Sequence, residues 1–207
     1  MRYLFNIINN HNQFLNNLIQ MKNVLILGGT KYLGKELVNL LENDYELFVF
    51  SRKEIKNDKK VNFVKIDRNS LDSIYKAING IAFDCVIDFI NYSSFHSLIF
   101  KKLLEKKVRC NHYIMISSTF IYYPNVKNKV IEDDFNPYDF KYKVEKRDKI
   151  SYELSKKNSE AFIAQNFEIP FSIIRFPIIL SSDDYTGRFE FIPKMIMNKK
   201  IQKNQCK

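Results

Sequence analysis

Short apolar runs alternate with longer stretches in which apolar positions recur every three or four residues, from residue 23 to about 176. A short apolar run bounded by turn formers reads as a buried strand, and the three-to-four spacing reads as one face of a helix. On that basis residues 24–27, 46–50, 61–66, 83–90, 112–116 and 171–174 are expected strands. Helices are expected over 32–41, where Leu33, Leu37, Leu40 and Leu41 share a face, over 70–78, over a Lys-rich stretch at 94–107, and over 151–166. Strict alternation of this kind predicts an α/β fold with a doubly wound parallel sheet, a Rossmann fold with helices on both faces. Residues 119–150 interrupt it with a long, charged, turn-rich connection, and such a length inside a compact domain is usually functional. Beyond 176 only residues 189–197 form a further apolar stretch, before a polar Lys/Asn/Gln end.

Composition narrows the partners. A chain of 207 residues can bury a sizeable core as one domain, and 45% hydrophobic residues is ordinary for a globular protein. The formal net charge of +10 would favour anionic partners. The lysines are nevertheless scattered through the chain, and those at 101–107 and 199–203 read as solvated helix faces. With no Arg cluster and no aromatic-interleaved basic motif, a nucleic acid is not the expected partner. Cys85, Cys110 and Cys206 show no paired spacing, so neither a disulfide framework nor a zinc site is expected, and a reducing cytoplasm fits. No apolar stretch reaches the ~18–20 residues needed to span a bilayer. Residues 1–20 lack a cationic start and a continuous apolar core, so they read as an N-terminal extension without a signal peptide. Met21, directly before the first expected strand, is the expected natural start.

The first expected strand runs into Gly28-Gly29-Thr30-Lys31-Tyr32-Leu33-Gly34 and then a helix. In that context Gly28 gives a tight turn, Gly34 lets helix pack on strand, and the helix N-terminus offers N–H groups and a positive dipole to a pyrophosphate. Gly28, Thr30, Lys31, Tyr32, Leu33 and Gly34 are therefore the expected phosphate cradle of a dinucleotide. Lys31 occupies the position of the middle glycine; its ammonium either reaches a cofactor phosphate or points to solvent. After the second strand, where an acid would bond a ribose 2′-hydroxyl, the chain reads Phe50-Ser51-Arg52-Lys53. Ser51 and Arg52 suit a 2′-phosphate, which predicts NADP(H) in preference to NAD(H).

A lysine one helical turn after a tyrosine lowers the phenol's pKa electrostatically and suits proton transfer. The spacing occurs at Tyr123/Lys127, Tyr142/Lys146 and Tyr152/Lys156, but only the third opens a long amphipathic helix before the last strand. There it extends to Tyr152-x-x-Ser155-Lys156-x-x-x-Glu160. With the glycine loop and Ile116-Ser117-Ser118-Thr119-x-Ile121-Tyr122, this string resembles the extended short-chain dehydrogenase/reductases, the NAD-dependent epimerase/dehydratase group. The lysine-centred glycine loop, the stretch from Asp84 to Asp88 and the stretch from Asp183 to Phe189 resemble an atypical bacterial subgroup, and the likeness covers about 22–197.

The resemblance implies Tyr152 as general acid/base, Lys156 as its partner, and Ser118 as the hydroxyl that orients the reacting oxygen, with Thr119 as a substitute or substrate contact. It places Asp67, with Arg68, at the adenine, and Phe89, Ile90, Ser117, Tyr152, Lys156 and Phe176 along the cofactor. Arg188 is its candidate for a substrate phosphate or carboxylate. Residues 21–176 would form the dinucleotide-binding domain, and 177–207 the start of a substrate-binding region of which much is missing.

The expected activity is that of a cytoplasmic NAD(P)-dependent oxidoreductase, epimerase or dehydratase acting on a hydroxyl/carbonyl pair, with a small molecule such as a nucleotide sugar as substrate. Dimerisation through two long helices is common in the resembled family. Two rival readings stand beside it: a non-catalytic cofactor-binding or RNA-associated protein on the same scaffold, and an inactive truncated family member.

Overall fold

The structure, a computed structural model, describes residues 22–53, 55, 60–124, 129–179 and 188–197. The expected N-terminal extension, Met21 as start, the stretch from Asp183 to Gly187 and the polar end after 197 lie outside the described residues.

Among them, eight strands and five α-helices follow one another as β1 (Lys22–Leu27), α1 (Tyr32–Leu41), β2 (Tyr45–Ser51), β3 (Val61–Lys65), α2 (Leu71–Ile78), β4 (Ala82–Phe83), β5 (Cys85–Asp88), α3 (Ser94–Glu105), β6 (Arg109–Cys110), β7 (Tyr113–Ser118), α4 (Tyr152–Asn166), β8 (Phe171–Phe176) and α5 (Arg188–Met197). The main sheet has the order β3-β2-β1-β5-β7-β8, and every pairing in it is parallel. This is the doubly wound order, and its direction reverses between β1 and β5, where such folds open a crevice at the carboxyl ends of the strands. The expected Rossmann fold is therefore the one observed.

The two faces carry separate cores. Val24, Ile26, Leu47, Val49 and Val61 pack with Val38 of α1 on one side. Leu25, Leu27, Phe50, Val86, Tyr113 and Met115 pack with residues of α2, α3 and α4 on the other. Alternate residues of one strand thus feed opposite cores, which is why the strands read as continuous apolar runs.

Side-chain caps set several helix starts: Ser70 Oγ accepts from Ser73 N, and Ser151 Oγ accepts from Leu154 N at 3.2 Å. A serine that satisfies an orphan N–H fixes the first helical residue.

One expected strand is divided. Instead of running unbroken over 83–90, the chain turns at Asp84, whose carboxylate accepts from Asn23 N at 3.0 Å while its own N–H bonds Asn23 O. Phe83 then pairs with Cys110 in a separate two-stranded ladder. The second segment stops at Asp88, whose Oδ1 accepts from Ile90 N at 3.0 Å. Both breaks arise from side-chain bonds to the backbone, which compete with ladder pairing and leave no trace in an apolar pattern.

Residues 119–150 hold only 3₁₀ turns at Thr119–Tyr122, Glu132–Asp134 and Arg147–Lys149 among the described residues. Part of the connection crosses α3 and α4. Ser94 Oγ donates to Lys143 O at 2.7 Å, Lys143 N donates to Asn158 Oδ1 at 3.3 Å, and Gln165 Nε2 donates to Pro137 O and Phe140 O at 2.8 and 3.0 Å. The late apolar stretch forms α5. No described helix is long and apolar enough to cross a membrane.

Candidate active site

The glycine loop links the carboxyl end of β1 to α1. Gly28 sits at φ +93°, a conformation that L side chains rarely adopt, and a Cβ there would lie 2.6 Å from Ile90 Cγ2. A Cβ at Gly34 would lie 2.3 Å from Gly28 O. Both glycines are thus required by the close approach of loop, helix and the segment after β5. That packing brings the first turn of α1 to the switch point, beside Phe89 and Ile90.

Lys31 is the N-cap of α1, exposed, at φ −147° and ψ 157°, and its side chain makes no capping bond. The extended backbone explains why a lysine can replace the middle glycine without strain. The first turn of α1 carries no acidic residue. These features fit a cofactor pyrophosphate: N–H groups at a helix start, no acidic residue in its first turn, and a lysine at its N-cap. Thr30 and Leu33 are half-buried, and Tyr32 adopts φ 47°.

Ser51 is buried at the end of β2, where its Oγ accepts from Lys53 N at 3.1 Å, and Arg52 is exposed. Asp67 is exposed in the loop after β3, with Oδ1 accepting from Asn69 N at 2.9 Å. Arg68 differs from its neighbours: it is buried and bonds Asp88 instead of facing outward.

The proton-transfer candidates converge across the crevice. Tyr152 opens α4, half-buried, with its ring 6.2 Å from that of Phe120 and under the Arg147 guanidinium at 5.4 Å. One turn later Lys156 is buried; its Nζ donates to Asn91 O at 2.7 Å and to Ile116 O at 2.9 Å. The same Nζ lies 5.9 Å from the Tyr152 ring centre and 5.4 Å from that of Tyr92. Burial is the main influence on Lys156 and lowers its pKa to about 8, against support from Asp88 and Glu160 and with a further lowering from Arg147. Ser155 Oγ donates to Tyr92 O at 2.5 Å, so α4 is pinned at two successive residues to the segment after β5.

Ser118 ends β7, half-buried, with Oγ accepting from Phe120 N at 3.2 Å, and pairs in register with Phe176 of β8. Thr119 is exposed. Ser117, also assigned to the cofactor by resemblance, is buried and donates to Glu160 Oε1. Glu160 in turn pairs with Arg175 at 2.8 Å. Arg188 begins α5.

Sequence reading missed two buried charge assemblies. One is Glu160 with Arg175, whose guanidinium also donates to Tyr122 Oη, Glu132 O and Phe135 O at 2.7, 2.8 and 3.1 Å. The other is Arg68 with Asp88. The available signal was a charge inside an apolar run, Val-Ile-Asp-Phe-Ile and Ile-Ile-Arg-Phe, because a charge in a core strand must find a partner.

A cavity of about 370 Å³ lies elsewhere, lined by Glu132, Asp133, residues 135–138, Phe171, Ile173 and Arg175. It includes neither Tyr152 nor the glycine loop. No group of three or more metal-ligating side chains occurs among the described residues.

Residues 24–115 match the sequence profile of the NAD dependent epimerase/dehydratase family. Most of the chain shares its fold with solved structures. A putative NAD-dependent epimerase/dehydratase from Methylobacillus flagellatus superposes with a TM-score of 0.63 at 17% identity, covering 88% of this chain and 62% of that one. The Bordetella bronchiseptica enzyme WbmH, solved with NAD+, gives 0.62 at 16% identity over 87% and 64%. The dTDP-glucose 4,6-dehydratase of Bacillus anthracis, solved with NAD, gives 0.58 at 14% identity over 86% and 61%. The chain thus spans a little over six tenths of the length of these structures. No curated protein matches the sequence.

Proposed function

We propose that this chain is an NADP(H)-dependent member of the epimerase/dehydratase family that interconverts a hydroxyl and a carbonyl, with a nucleotide-linked sugar as the favoured substrate class. The observation that carries this is the arrangement of Tyr152 and Lys156. A buried ammonium, fixed by two backbone carbonyls one helical turn behind a half-buried phenol, stands at the carboxyl edge of the sheet beside the glycine loop. An ammonium has three N–H donors, and two go to Asn91 O and Ile116 O. Its charge favours the phenolate and so brings the tyrosine toward proton exchange near neutral pH. Tyr152 would take the proton from a substrate hydroxyl or return it to a carbonyl, and Ser118 Oγ would orient the reacting oxygen. The nicotinamide, when bound, supplies or accepts hydride. Gly28, Thr30, Lys31, Tyr32, Leu33 and Gly34 would hold its pyrophosphate, Asp67 the adenine, and Phe89, Ile90 and Phe176 the flanks.

NADP(H) is preferred on the strength of Ser51 and exposed Arg52 where a ribose-binding acid would otherwise stand. Two of the solved neighbours named above, WbmH and the dTDP-glucose 4,6-dehydratase, hold NAD+ and NAD, so this preference is a departure from them.

Tyr152→Phe tests the assignment. Against a panel of nucleotide-linked keto-sugars and simple carbonyl compounds, the variant should lose turnover by about 10²–10⁴-fold while NADPH affinity, read by fluorescence titration, stays within a few-fold. A variant as active as wild type removes Tyr152 from the chemistry.

A further inference from the structure

A second set of buried polar groups runs unbroken from the loop after β3 to Lys156. Arg68, 5% exposed, reaches Asp88, 0% exposed, with Nη2 2.5 Å from Oδ2. The same Oδ2 accepts from Tyr113 Oη at 2.8 Å. Tyr113 Oη accepts from Asn91 Nδ2 at 3.1 Å, and that amide also bonds Ser97 Oγ at 2.9 Å. Asn91 then presents its backbone carbonyl to Lys156 Nζ. Desolvation makes a buried ion pair a poor source of stability compared with apolar packing. Its position three hydrogen bonds from the lysine, through Tyr113 and Asn91, points to another role.

We propose that Asp88 is a positioning residue for Lys156. Through Tyr113 and Asn91 it fixes the carbonyl that holds the ammonium, and its carboxylate, retained by Arg68, keeps that buried ammonium charged. The functional meaning rests on the reading of Tyr152 and Lys156 as the proton-transfer pair; the coupling itself does not.

Lys156 faces Asp88 from β5, Glu160 from its own helix, Arg147 from the preceding turn, and the rings of Tyr92 and Tyr152. The two acids hold the proton on, Asp88 the more strongly, against burial and Arg147. Asp88 faces Arg68, Tyr113 and His96. His96 titrates at about 4, chiefly because it is buried, and is neutral at physiological pH. Arg68 is therefore the cation that balances Asp88.

The test is a titration of Lys156 in the full chain without cofactor, using lysine labelled with ¹³C at Cε and the signal assigned by its absence in Lys156→Met. Asp88→Asn should lower the midpoint by about one pH unit or more, as expected for removing a nearby opposite charge. That variant leaves Arg68 buried and unpaired and can unfold, so Arg68→Met combined with Asp88→Asn is measured alongside and should shift in the same direction. An unchanged midpoint in the folded double variant overturns the electrostatic half of the proposal. Tyr113→Phe cuts the chain at its middle while leaving the carboxylate; it should move the Lys156 resonance, and an unmoved resonance overturns the positioning half. A wild-type chain that binds no NADPH yet shows both effects removes the oxidoreductase reading and supports the coupling.

Discussion

Arg52 and His96 show how two single side chains report on different properties. Arg52 is exposed at the end of β2, where its loss should not disturb the core. If it binds a 2′-phosphate through charge-assisted bonds, Arg52→Ala should weaken NADPH binding by about tenfold and NADH binding much less, as measured by calorimetry. Equal loss for both cofactors would place Arg52 away from the 2′ position. His96 is 8% exposed, with Nδ1 accepting from Tyr92 N at 3.2 Å and Nε2 3.1 Å from Asn69 Oδ1. Burial, then Arg68, lowers its pKa from 6.5 to about 4. As pH falls, the unfolded chain takes up this proton first, so stability is lost from about 6.5 down to about 4 and is fully present above that window. The loss should be about 3 kcal/mol at pH 4. His96→Gln should flatten the urea-midpoint profile across that window; an unchanged profile would mean that the ring is not held neutral. Tyr152 and Lys156 were singled out by spacing and resemblance, and the structure puts them one turn apart at the start of α4. Arg68 was read as an adenine contact and Asp88 only as part of a longer string, since the contact that joins them crosses the fold.

At the scale of elements, Arg175 on β8 ties the start of the long connection to α4 by bonding Tyr122, Glu132, Phe135 and Glu160. Arg175→Met would leave the Glu160 carboxylate, which is 0% exposed, without its cation. Removing one partner of a buried pair costs about 3 kcal/mol or more, whereas replacing both can be nearly neutral. Urea unfolding should therefore show a large loss for Arg175→Met and a smaller one when Glu160→Gln is added. Additive losses would show that the pair is not coupled. Strands and helices were legible wherever period alone decides, as in α1, predicted over the very residues that form it. The reading failed where a side chain captures backbone groups: Asp84 and Asp88 divide the expected strand at 83–90. It also did not foresee that residues 137–145 lie across α3 and α4, because loop placement is a tertiary property.

Over the whole molecule, the glycine loop after β1, the segment after β5 that Lys156 bonds, and the end of β7 all lie at the carboxyl edge of the sheet. Sequence alternation was enough to predict the doubly wound sheet, and such a sheet puts every β-to-α turn on the same edge. The +10 charge adds a general attraction for an anionic dinucleotide and says nothing about which one. Calorimetric titration of the full chain with NADPH and, separately, NADH is the most direct test of the account. It predicts binding of NADPH at micromolar to tens-of-micromolar Kd, weaker binding of NADH, and loss of the difference in Arg52→Ala. A folded chain that takes up neither dinucleotide at millimolar concentration would contradict it.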